Sequence, residues 1–156
     1  MIIVCDTSGS MLEGGKRYIS RNMVRATVQY LTQYCNYKQA INLVVWGKKA
    51  NIKKLSLNKD VPESVLDCSG LANVESLVDL LRKKCDESLI IIVSDCYWSE
   101  KDWQSISEIV NSNKVKNFAI IKTGEDANPR FSEEGFFGSD SIIEALHHLG
   151  LVGNHV

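Results

Sequence analysis

Concentrated positive charge is the first thing this sequence lacks. Its 156 residues carry 18 Lys and Arg against 19 Asp and Glu, a formal net charge of −1. Without a basic stripe there is no electrostatic footprint for neutralising phosphates, which argues against nucleic acid as a partner. Long apolar runs are missing too. None approaches the roughly 20 residues that cross a bilayer, so no membrane association is expected. Met1-Ile2-Ile3-Val4 reaches Asp6 too soon for a secretory signal, and the expected location is cytoplasmic. Histidine is scarce: the three, His147, His148 and His155, all lie near the C-terminus. The five cysteines, Cys5, Cys35, Cys68, Cys85 and Cys96, are odd in number and contain no Cys-x-x-Cys pair. Neither a zinc site nor a disulfide framework is advertised, and the thiols read as small core hydrophobes in a reducing compartment.

What remains is 44% hydrophobic and 24% charged, ordinary for one globular domain over residues 1–156. Ile2 to Cys5 is an unbroken apolar run ending at Asp6, the pattern of a strand buried on both faces. After a polar loop with Gly14-Gly15, apolar residues at Ile19, Met23, Ala26-Thr27, Tyr30-Leu31 and Tyr34 recur at helical spacing, predicting a helix from Lys16 to Cys35. Ile41 to Trp46 and Asn51 to Leu57 flank the short Gly47-Lys48-Lys49 turn as a hairpin, its second strand an antiparallel edge. Asn58 to Ala72 reads as a loop with one helical turn near Glu63 to Leu66. Asn73 then caps a helix whose apolar face is Val74, Leu77, Val78, Leu81 and Cys85. Leu89 to Val93 is the strongest buried-strand signal, and it ends at Ser94-Asp95. A helix from Ser99 or Lys101 to Asn111, a strand from Val115 to Ile121 and a helix from Ser139 to Leu149 complete the chain. Alternating strands and helices predict an α/β, doubly wound, mostly parallel sheet with helices on both faces. Ligands bind such sheets outside the carboxyl ends of the strands, where Asp6 and Asp95 fall.

At the first of these ends stands Asp6-Thr7-Ser8-Gly9-Ser10-Met11. A carboxylate and two hydroxyls on one tight loop converge hard oxygen donors, which suit Mg²⁺ or a similar cation. The segment resembles the Asp-x-Ser-x-Ser signature of the metal-ion-dependent adhesion site (MIDAS) of von Willebrand factor A domains. Ile92-Val93-Ser94-Asp95-Cys96 resembles the family's later acid-ended strand, with Cys96 in place of a glycine. Val44 to Ala50 and Gly135-Phe136-Phe137 with Asp140 to Leu146 resemble outer parts of the same fold. The resemblance departs at Gly70-Leu71-Ala72-Asn73-Val74, where Ala72 stands in place of the family's liganding threonine. The site it implies is therefore incomplete.

By that resemblance the chain is a compact intracellular module of prokaryotic type. It would bind a protein partner that offers an Asp or Glu to a Mg²⁺, Mn²⁺ or Ca²⁺ ion, possible partners including an AAA-type ATPase complex. The expected metal residues are Asp6, Ser8, Ser10 and Asp95; the expected partner contacts are Met11, Gly70, Asn73, Tyr97 and Trp98. No catalytic residue is expected. Two alternatives stay open. A haloacid dehalogenase-like phosphatase would use Asp6 as nucleophile, but Ser8 occupies the position of its acid/base. The other is a degenerate, metal-free scaffold of the same fold.

Overall fold

The computed structural model describes residues 1–56, 60–84, 88–112, 115–131 and 134–151. Leu57, Cys85 and His155, which the sequence reading placed at a strand end, on a helix face and among the histidines, lie outside the described residues. Strands β1 (Ile2–Asp6), β2 (Asn42–Trp46), β3 (Ala50–Lys54), β4 (Ser88–Ser94), β5 (Val115–Lys122) and β6 (Phe136–Gly138) form one sheet. Their order is β3-β2-β1-β4-β5-β6. All neighbours pair in parallel except β2 and β3, which form the expected antiparallel hairpin at one edge.

The apolar runs are continuous because both faces of the inner strands are covered. Ile2, Val4, Val44, Trp46, Ile90, Ile92 and Ile120 point to one side, under helices α2 (Val74–Lys84) and α3 (Glu100–Val110). Ile3, Cys5, Leu43, Ile91, Val93, Ala119 and Ile121 point to the other, under α1 (Lys16–Gln33) and α4 (Ile142–His148). The helix starts follow local chemistry. Ser99 caps α3 in a reciprocal capping box with Asp102, and the Asn73 side chain accepts from the Ser76 backbone N–H at the start of α2.

Four features differ from expectation. Phe136–Gly138 is a sixth strand, too short to announce itself by alternation, and α4 begins at Ile142 rather than Ser139. A 3₁₀ segment, Gly9–Gly15, precedes α1. Most consequentially, the buried stripe of α1 is Lys16, Ser20, Val24, Thr27 and Leu31. Met23 and Tyr30, expected at its centre, flank it. A lysine therefore begins the face that packs on the sheet.

Strand β1 is the point from which the chain winds outward in both directions. It feeds β2 on one side and is flanked by β4 on the other. The carboxyl ends of β1 and β4 meet at this reversal, the place where sheets of this kind bind ligands.

Candidate functional site

Asp6, Thr7, Ser8, Ser94 and Asp95 are all buried although polar. Burying such groups costs free energy unless each finds a partner, and here the partners are specific. Asp6 Oδ1 accepts the Ser8 backbone N–H at 2.8 Å, and Asp6 Oδ2 accepts the Ser94 hydroxyl at 2.6 Å. Ser94 Oγ in turn accepts the Cys96 N–H at 3.0 Å. Burial pushes the Asp6 carboxyl above its ordinary range, the bonds from Ser94 and Ser8 offset part of that rise, and the nearby Asp95 charge adds to it.

Ser8 and Ser10 present their hydroxyl oxygens 3.1 Å apart. Adjacent ligands of an octahedral cation with bonds of about 2.0–2.1 Å stand roughly 3 Å apart, so the pair fits such an ion as well as a hydrogen bond. Ser10 is half-buried, which opens this edge to the surface. The loop is pinned by backbone bonds from Thr7 N–H to Trp46 O, from Ser69 N–H to Thr7 O and from Gly9 N–H to Gly70 O. The Gly70 loop thus borders the serine loop as the resemblance implies. Ala72 is half-buried, packs against the apolar cluster that includes Trp46, Val74 and Trp98, and carries no side-chain oxygen.

Asp95 follows β4, whose Val93 is paired with Cys5. Its side chain is 1% exposed and its Oδ2 accepts the Lys16 ammonium at 3.0 Å. Lys16 Nζ also lies 2.8 Å from Asp126 Oδ2 and 5.4 Å from the centre of the Tyr97 ring. Burial alone would depress the lysine, but its bonds to Asp126 and Asp95 outweigh burial and hold it above its ordinary value, while Asp126 is held below the usual carboxylate range. Cys96, at the glycine position of the resembled motif, has φ +59°, the left-handed conformation a glycine adopts without cost. Its sulfur is buried, and burial raises its thiol well above the usual value, as packing rather than reactivity requires.

The structure brings Asp6, Ser8 and Ser10 together with Asp95 at the neighbouring strand end. It does not expose every expected contact residue. Met11 is fully buried, closing the turn before α1, and Trp98 is 8% exposed within the aromatic cluster of Trp46, Trp103 and Phe131. Both are core residues, which corrects their assignment as partner contacts. Gly70, Asn73 and Tyr97 are exposed. Lys16, Ser94 and Asp126 were not anticipated. The signal for Lys16 was available: a cation at the first helical position opposes the helix dipole and needs a compensating partner.

No sequence-family model matches the chain, and no curated protein matches it by sequence. Solved structures do match it in three dimensions. A von Willebrand factor type A protein from Catenulispora acidiphila superposes with a TM-score of 0.56 at 13% identity, over 96% of this chain and 41% of that one. The manganese-loaded Plasmodium vivax TRAP protein gives 0.61 at 13% identity, over 97% and 70%. Proximal thread matrix protein 1 of the mussel byssus, with a zinc occupied MIDAS motif, gives 0.58 at 13% identity, over 96% and 45%. The chain thus spans under half the length of the first and third of these proteins. It has the fold of von Willebrand factor A domains.

Proposed function

We propose that residues 1–156 act as one protein-binding module that engages its partner at the carboxyl ends of β1 and β4. The observation that carries this reading is the juxtaposition of the Ser8–Ser10 hydroxyl pair with exposed apolar side chains on the surrounding loops. Leu12 is 48% exposed, Leu71 86% and Tyr97 57%. These residues belong to the segments that build the site, and polar centres rimmed by exposed apolar groups suit protein contacts. A cleft of about 650 Å³ beside the ends of β5 and β6, lined in part by Lys122, Phe131 and Gly138, adds surface on the same side.

Asp6, Ser8 and Ser10 are a hard oxygen set that would hold Mg²⁺ or Mn²⁺, with Asp95 adding negative charge nearby. When bound, such an ion supplies an electrophilic position for an acidic side chain from the partner. The metal-bearing fold neighbours support this reading. Ser8 and Ser10 orient the loop oxygens, Asp6 fixes the loop through the Ser8 N–H, and Ser94 holds Asp6. AAA-type ATPase complexes are the partner class to test first.

Binding rather than catalysis is favoured because Ser8 stands where a phosphoryl-transfer enzyme of this strand-end type needs an acid/base. The test is paired. Candidate complexes should associate with the wild type in Mn²⁺ and lose affinity in both Ser10→Ala and Leu71→Asp. Sustained Mg²⁺-dependent hydrolysis of a phosphomonoester, abolished in Asp6→Asn, would overturn the reading.

A further inference from the structure

Lys16 is the least expected charged group in the molecule. Its side chain has no exposed surface, and it sits at the first position of α1, where the helix dipole disfavours a cation. The surroundings are built to keep it there. Its ammonium bonds Asp95 and Asp126 and lies against the Tyr97 ring. The Tyr97 hydroxyl donates to the Asp126 carbonyl at 2.6 Å, and the Asn128 N–H donates to the Asp95 carbonyl at 2.9 Å, fastening the covering loop. Gly124, at φ +94°, makes room for the stem. A Cβ there would stand 3.0 Å from Lys16 Cε and 3.1 Å from its Cγ.

We propose that Lys16 is an internal counter-cation that holds Asp95 and competes with a divalent ion at Ser8 and Ser10, so that this lysine sets the site's affinity for metal. The inference rests on the metal reading above and extends it. Asp95 carries one negative charge, which the ammonium already faces at hydrogen-bond distance. A divalent ion at the serine pair must share that charge and also bear the repulsion of a buried cation nearby, where screening by water is weak. Removing the ammonium leaves Asp95, beside Asp6 at the adjacent strand end, without the cation bonded to its carboxylate. The folded chain should then be less stable when metal-free and more dependent on metal.

The experiment uses the whole chain as wild type, Lys16→Gln, Lys16→Met and Lys16→Met with Ser10→Ala. Mn²⁺ is titrated calorimetrically, and thermal midpoints are recorded in chelator and in Mn²⁺. The two neutral substitutions differ in polarity, so one remains informative if the other folds poorly. The expected result is binding at least tenfold tighter in both than in the wild type, a lower midpoint in chelator and a larger rise with Mn²⁺. The Ser10→Ala addition should abolish the gain. Equal Mn²⁺ affinity in the wild type and both neutral variants would overturn the competition while leaving the metal site standing. No Mn²⁺ binding by any of the proteins would remove both. Binding by the neutral variants alone supports the competition most strongly.

Discussion

Removing the Ser94 hydroxyl should destabilise the fold far more than its size suggests. In Ser94→Ala the buried Asp6 Oδ2 loses its 2.6 Å donor and the Cys96 N–H loses its 3.0 Å acceptor. A hydrogen bond to a charged group is worth about 1.5–3 kcal/mol, and a buried N–H left without an acceptor costs about 1–3 kcal/mol. Allowing for partial relaxation, the loss should be about 3–4 kcal/mol, which for a chain this long lowers the midpoint by about 6–16 °C. Urea unfolding in chelator measures it free of metal linkage. Adding Asp6→Asn completes a double-mutant cycle. The asparagine can still accept the Ser8 N–H while its amide faces Ser94 Oγ as a donor, so the cycle should show coupling above about 1 kcal/mol. A loss in Ser94→Ala below about 1 kcal/mol, no more than an average point substitution costs, would refute the claim that this hydroxyl holds the carboxylate.

Other outcomes follow from neighbouring geometry. Gly124→Ala places a Cβ 2.7 Å from Asp126 Oδ1 at φ +94° and should cost about 2 kcal/mol or more by chemical denaturation, through strain and the displaced Lys16 cage. Among Cys5, Cys35, Cys68 and Cys96, a thiol-reactive probe near neutral pH should label half-exposed Cys35 first by mass mapping. The other three are buried, and burial raises Cys68 to about 11. Ala72→Thr adds a hydroxyl on the loop tied to Gly9 through Gly70. It should enlarge the Mn²⁺-induced rise in midpoint, by an amount equivalent to about 1.4 kcal/mol for a tenfold tighter site, and Ser10→Ala should cancel that gain.

The parts of the fold that were legible are those governed by local pattern. The run Leu89 to Val93 read as a doubly buried strand, the next helix was placed to start at Ser99 or Lys101 and starts after the Ser99 cap, and Gly47-Lys48-Lys49 was too short to join anything but an antiparallel pair. Asp6, Ser8 and Ser10 were legible as a set because they share one loop. The pairing of Lys16 with Asp95 spans 79 residues, so the unfavourable helix start at Lys16 could signal a need for a partner but not which one. It was further obscured because the positions read for this helix, Ile19, Met23, Ala26-Thr27, Tyr30-Leu31 and Tyr34, included Thr27 and Leu31 of the true face but not Lys16, Ser20 and Val24. Lys16 is accommodated on that face by its bond to Asp95, and Thr27 by turning its hydroxyl back to the Met23 carbonyl. Loop residues have no period to read, so Met11 and Trp98, both buried, looked like surface. Phe136 and Phe137 point into opposite cores from a strand of three residues, too short for alternation to show.

The most direct test of the central claim is a crystal of the full chain soaked in Mn²⁺ and measured for anomalous scattering. The account predicts a peak beside the hydroxyl oxygens of Ser8 and Ser10, at about 2.0–2.3 Å from each, outside the ends of β1 and β4. It predicts the same peak at lower Mn²⁺ concentration in Lys16→Gln. No peak beside Ser8 and Ser10 in either crystal at saturating Mn²⁺, with the loop ordered and open to solvent, would contradict it.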